Sequence, residues 1–285
     1  MGLTSSLAEP FAQHALLAGA LVAVTCGLIG PFVVIRNMAF AVHGTSELAF
    51  TGAAAGLLVA DDPIAGALLG ALGVAAVIGL LGGRERERDS AIGVVLAFGL
   101  GLGVLLLSYY RGFATAATNI LFGDIFGVST GQITVLVLIG AAVIVTMTLM
   151  HRPLLFASVD PDVAAARGVP VRMLGLAFLV VLAMTVTAAA QIVGTLLVLS
   201  LAITPAAAAQ RFTVSPLAVT SLSVVFALIA TEGGLLVSLQ ASTIKPSVFV
   251  TAISFSIYLF ARLLGPVVRD QRAGRWARRS SRTKV

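Results

Sequence analysis

A chain of 285 residues that is 59% hydrophobic and charged at only 11% of its positions is not a soluble domain, where about a quarter of residues carry charge. Its apolar runs, about 17 to 23 residues long, suit helices that span a bilayer and exclude a barrel of alternating ten-residue strands. The net charge of +6 is spread through short loops and one tail, a placement that fits membrane topology and gives no basic face for nucleic acid.

Nine apolar runs follow in order, at about 13–35, 38–60, 63–82, 91–109, 132–150, 173–190, 192–210, 214–232 and 247–263. They predict an all-α integral membrane protein, a polytopic bundle of about 8–9 transmembrane helices over residues 1–263, with a basic cytoplasmic tail at 264–285. The first run follows no basic leader or cleavage site and is expected to be retained as a helix. Its Cys26, the single cysteine, can form no internal disulfide and reads as a small core residue.

The second run, with the turn before it, carries the chemistry. Arg36 to Gly56 reads RNMAFAVHGTSELAFTGAAAG, and His43 and Glu47, four residues apart, fall on one helix face. Ionisable groups at membrane depth cost several kcal/mol each unless they face a cavity, a partner or an ion, so the pair marks a transport or ligand site. Imidazole with carboxylate is a donor set that zinc and manganese accept; the alternative is a hydrogen bond that locks two helices together. Two protein ligands are too few for a selective zinc site, which usually has four. Gln191, Glu232, Thr45, Ser46 and Ser242 are the further candidates for the pathway or its gate, with Glu232 at a helix end where a solvated carboxylate is the ordinary alternative.

With the N-terminus outside and the C-terminus cytoplasmic, sixteen of the eighteen Lys and Arg face the cytoplasm and only Arg111 and Lys245 do not, as the positive-inside rule demands. Asp61-Asp62-Pro63 is then an outer turn, and Arg84 to Asp89, RERERD, a solvated inner loop. ILFGDIFGVSTG, from Ile120, reads as a short segment lying in the outer interface. The tail from 264, with Trp276 among arginines, is expected to be disordered and drawn to anionic lipid. Runs six and seven abut at Gln191 without a loop, so one of them is short, tilted or broken.

DPDVAAARGVP, Asp160 to Pro170, contains a complete set of helix signals: Asp160 as N-cap, Pro161 at the first helical position, Gly168 as the left-handed stop and Pro170 beyond it. The helix at 160–168 is too short to be stable alone, so it is expected to pack against the chain's own loops or, as the preferred reading, against a partner. The chain has no phosphate loop of the form GxxxxGK[ST], no HExxH, CxxC or GxSxG, so nothing supports ATP binding, redox chemistry or hydrolysis.

In PFVVIRNMAF, GVVLAFGLGLGVLLLS, ILFGDIFGVS and above all Asp160 to Ala209, the chain resembles the membrane permeases of bacterial ATP-binding-cassette importers for zinc and manganese. The resemblance implies a multi-pass protein of the bacterial plasma membrane, a homodimer that moves a divalent metal inward by alternating access, with zinc expected first and manganese or iron next. It implies separate cytoplasmic ATPase subunits docked on the 160–168 coupling helix, through Asp160, Pro161, Arg167, Gly168 and Pro170, and an extracytoplasmic metal-binding protein as donor. The chain would then be no enzyme itself, with no permanently bound cofactor, metal as its substrate, and membrane lipid but no nucleic acid as a partner. The family's helix-two motif GDAxxH reads here V-H-G-T-S-E, with His43 at the aspartate position and Glu47 at the histidine position, so the ligand types are exchanged. A later family aspartate corresponds to Ser242 within SLQASTIKP. The alternatives are a stand-alone proton-coupled transporter, an importer of a chelated metal or other small nutrient, and a membrane scaffold without transport.

Overall fold

The computed structural model describes residues 9–81, 85–111, 113–240 and 244–282. These form helices α1 (Pro10–Ile35), α2 (Ala39–Ala60), α3 (Pro63–Leu81), α4 (Glu85–Ser108), α5 (Phe113–Phe122), a 3-10 turn (Ile125–Gly127), α6 (Thr130–Val159), α7 (Pro161–Ala166), α8 (Val171–Val193), α9 (Val198–Phe212), α10 (Pro216–Gln240) and α11 (Pro246–Arg282), with no strand among the described residues. Five segments are long and apolar enough to cross a membrane: α1, α6, α8, α10 and Pro246–Gly265 of α11. Helices α3 and α4 contribute shorter apolar stretches, Pro63–Gly79 and Ile92–Ser108. Helix α2 falls outside both groups; His43, Thr45, Ser46, Glu47 and Thr51 all lie within its 22 residues.

The apolar core surrounds α1, which packs on α6, α8, α9 and α10. One face of α1 is made of small residues, among them Ala15, Ala18, Gly19, Ala23, Cys26, Gly27 and Gly30, all buried. In lipid no hydrophobic driving force separates helix from solvent, so close backbone approach and the dispersion it brings hold such a face together. A Cβ added at Gly27 would lie 2.5 Å from the Val224 Cα of α10. Helices α2 and α3 meet the same way: a Cβ at Gly56 would lie 2.9 Å from the Gly66 Cα, and one at Gly70 3.1 Å from the Gly52 Cα.

The Asp61–Pro63 turn has the expected form. Asp61 adopts a left-handed conformation (φ 54°), and the Asp62 carboxylate accepts the N–H groups of Ile64 and Ala65 at 3.1 and 3.0 Å, with Pro63 opening α3. Helix α7 also follows its signals. Asp160 caps it by accepting the Val163 N–H at 3.0 Å, Ala164 is its buried anchor, and Gly168 stops it at φ 80°.

Three sequence expectations are corrected. Glu85 to Asp89 of RERERD is the first turn of α4 rather than a loop, a position in which glutamate is a favoured residue type. The basic tail continues α11 as helix through Gly265 and Pro266 as far as Arg282; the arginines and alanines beyond Pro266 are strong helix formers. The join between runs six and seven is not at Gln191. That residue lies in the last turn of α8, and the chain breaks at Gly194.

Candidate functional site

Helix α2 presents His43 and Glu47 one turn apart, His43 half-buried and Glu47 only 3% exposed. Glu47 Oε2 is enclosed and makes no hydrogen bond, a costly arrangement for any carboxyl group unless something else occupies its lone pairs. The hydroxyls around it are engaged. Thr45 donates to Ala41 O at 2.7 Å, Thr51 Oγ1 lies 2.6 Å from Gly99 O on α4 and 3.1 Å from Glu47 O, and Ser46 donates to Thr195 O. Among the described residues no group of three or more His, Cys, Asp and Glu side chains gathers at one place. His43 and Glu47 therefore stand as a pair at this point, with no third such side chain gathered beside them among the described residues.

The Ser46 contact ties α2 to the break between α8 and α9. There Gly194, at φ 89°, turns the chain out of α8, and the freed backbone groups find partners on the last turn of α5 and just beyond it. Thr195 N–H donates to Ile120 O at 3.1 Å, Leu196 N–H to Leu121 O at 3.3 Å, and Asp124 N–H to Gln191 O at 3.4 Å. Gly123, at φ 76°, stands opposite Gly194, and a Cβ on either would strike the other strand's backbone. Two stretches of irregular backbone thus satisfy each other, which is the condition for such backbone inside a bundle. ILFGDIFGVSTG takes the form of a helix end and a 3-10 turn, docked onto the broken helix.

Above this junction lies a cavity of about 450 Å³, walled by Ala49 and Ala53 of α2, by Asn119 and Asp124, by Gln132 of α6, and by Gln191 and Thr195. Arg111 and Tyr110 stand in the same wall. Of the residues expected from sequence, the structure places Gln191 here. His43 and Glu47 are not in the lining; their neighbour Ser46 bonds to the wall residue Thr195, and Ala49 and Ala53 of the same helix lie in the wall. Glu232 sits elsewhere, on α10, whose main packing neighbours are α1, α9 and α11. Its Oε1 is enclosed against Gly19 of α1 with no hydrogen-bond partner. Ser242 lies outside the described residues. The sequence reading passed over Thr195, Asn119 and Asp124; the glycine on each side of the break, Gly123 and Gly194, was the available signal, since each precedes or follows a run too short to be a full helix.

The family described as "ABC 3 transport family" matches residues 8–265, so the match ends where the basic extension of α11 begins. The manganese transport system membrane protein MntC of Halalkalibacterium halodurans is 34% identical over 208 residues, 73% of this chain and 71% of that protein. The high-affinity zinc uptake system membrane protein ZnuB of Haemophilus influenzae is 30% identical over 254 residues, 87% of this chain and 96% of that protein. Among solved structures, PsaBC from Streptococcus pneumoniae in complex with Fab superimposes with a TM-score of 0.85 at 27% identity, over 95% of this chain and 98% of that one. An inward-facing metal-chelate type ABC transporter shares the fold at a TM-score of 0.65 and 16% identity. On a match that takes in its whole helical bundle, this chain belongs to the ABC 3 transport family.

Proposed function

We propose that the chain is the membrane permease subunit of an importer for a divalent metal cation, working as a homodimer with separate ATPase subunits. The observation that carries this reading is Glu47: a carboxylate oxygen enclosed in α2 with no partner, one turn from His43, in a chain whose relatives are named as manganese and zinc permeases. Two copies related by a two-fold axis would bring two imidazoles and two carboxylates together, the four ligands that one copy lacks. Imidazole and carboxylate donors without a thiolate are compatible with both zinc and manganese.

In this reading nine helices cross the membrane with the N-terminus outside, and α7 lies in the cytoplasm. The Asp160 cap, Pro161, Arg167, Gly168 and Pro170 shape α7 as a knob for the ATPase. Closure of the ATPase pair would move the two knobs as levers and exchange access from one side to the other. The cavity over the α8–α9 break would be the outer vestibule, receiving metal from an extracytoplasmic binding protein, with Gln191 at its floor. A shell of few ligands suits conduction, because a transported ion must also leave.

The test is radio-metal uptake in proteoliposomes, with the chain alone and with its cognate ATPase, comparing zinc, manganese and iron. Uptake that requires the ATPase and favours one metal supports the importer and names its cargo. Uptake without the ATPase moves the assignment to a secondary transporter, and none under any condition leaves a scaffold.

A further inference from the structure

The connection between α10 and α11 holds a charge that the metal reading does not use. Lys245 is half-buried, and its Nζ donates to Thr118 O at 3.2 Å, Asn119 Oδ1 at 3.2 Å and Gly123 O at 3.3 Å. An ammonium has three protons to give, and all three are engaged at the C-terminal end of α5. That end carries the negative pole of the helix dipole, where a cation is favoured.

The contact is built from both sides. On its own side, the Ser238 hydroxyl donates to Ile244 O at 3.2 Å and Val248 N–H to Lys245 O at 3.2 Å, so the lysine stem rises from a fixed backbone. On the far side, Asn119 passes the contact on, its Nδ2 donating to Asp124 Oδ2 at 3.2 Å. Asn119 and Asp124 are wall residues of the large cavity, whereas Lys245 is not.

We infer that Lys245 is a tethered cation that latches the outer segment, from α5 to the 3-10 turn, over the cavity, and so sets how far that cavity opens. Polar bonds grip the segment along residues 120–124 by the α8–α9 break and at the end of α5 by Lys245, while the buried Ile125 and the edge contact of Phe126 with Phe11 seat the 3-10 turn against α1. Release of the Lys245 grip leaves the end of α5 hinged on the break and the seated turn. Lys245 touches neither the cavity nor the His43–Glu47 pair, so it is a positioning residue that acts through Asn119 and Asp124. The inference rests on the importer reading only for what the cavity admits; the latch itself is read without any transport.

The experiment uses the full chain in detergent and in proteoliposomes, with Cys26→Ala and Ala53→Cys to place one thiol in the cavity wall. The rate of labelling by a membrane-impermeant maleimide is the readout. Lys245→Ala should raise that rate about tenfold or more, as the loss of a charge-assisted contact predicts, and Lys245→Met should do the same with the stem's bulk retained. Methylammonium, which supplies N–H donors without the tether, should slow labelling of Lys245→Ala back toward the parent rate, while tetramethylammonium at equal concentration should not. Unchanged labelling in both variants overturns the latch, and so does an increase that methylammonium fails to reverse in protein that melts as the parent does. Absence of metal uptake in the parent itself would count against the importer reading and leave the latch standing.

Discussion

Ser46 on α2 gives its hydroxyl proton to the carbonyl of Thr195, 149 residues further along the chain. Both groups are buried, at 1% and 2% exposure, so the bond fixes α2, which carries His43 and Glu47, to the broken helix that walls the cavity. Ser46→Ala removes the donor and strands a carbonyl, at a cost of about 1–2 kcal/mol for an interhelical bond in a membrane protein. We expect a fall in melting temperature of about 2–4 °C and a several-fold loss of uptake. Ser46→Cys, which keeps a weak donor of similar size, should lose less of both. Equal uptake in Ser46→Ala and the parent would separate the two elements functionally.

His43 and Glu47 should show opposite demands of stability and function. Glu47→Gln replaces a buried carboxyl that has an unpartnered oxygen by an uncharged amide of the same shape. Thermal stability should stay the same or rise, because burying an unpaired charge is costlier than burying an amide. Metal uptake should fall by about tenfold or more, equivalent to about 1.4 kcal/mol of lost binding, and His43→Ala should fall at least as far. A Glu47→Gln protein that is destabilised yet transports normally would make the pair a structural lock.

Glycine at the break is required by conformation and by space together. Gly194 sits at φ 89°, and an added Cβ would run into the backbone of Leu121 to Gly123. Gly194→Ala should therefore cost about 1–3 kcal/mol for placing a side chain in a glycine-only backbone conformation plus the displacement of the docked segment, and the yield of folded protein should drop. Gly73→Ala on α3 is the control. An added Cβ there meets nothing within 4 Å, so removal of a mid-helix glycine should be neutral or stabilise by about 0.5–1 kcal/mol. Melting curves of the two variants decide it.

How far this architecture can be read from the chain differs by element. Hydropathy announces the bundle, and the caps of α7 are written out at Asp160, Pro161 and Gly168, because each depends on residues within a few positions. The pairing of His43 with Glu47 is equally local. The junction of Gly123 with Gly194 and the bond from Ser46 to Thr195 are not local, and no periodicity links residues about 70 or 150 apart. Lys245 reads in sequence as an exposed positive charge on the minority side, although three oxygens on α5 and just beyond it hold it. The charged start of α4 misled for another reason: alternating Arg and Glu reads as loop by composition, yet glutamates in a first helical turn favour the helix.

Helix α7 is the last point of test, since its six residues are too few to be stable without outside support. Within the chain that support is the Asp160 side chain on Val163 N–H and the burial of Ala164. Asp160→Ala removes a cap worth about 1 kcal/mol, a large share of what so short a helix can hold, while the spans on either side keep their own cores. The bundle should therefore melt nearly as the parent does, but α7 should fray. If α7 is the ATPase's docking knob, the variant should co-purify with less ATPase and lose uptake while any ATPase still bound hydrolyses ATP. Asp160→Asn, which keeps an acceptor for the Val163 N–H, should restore most of both, and Asp162→Asn, one turn position away with no capping bond of its own, should change little. If Asp160→Ala retained the ATPase in full and left uptake unchanged, the contact would have to lie elsewhere on the cytoplasmic face.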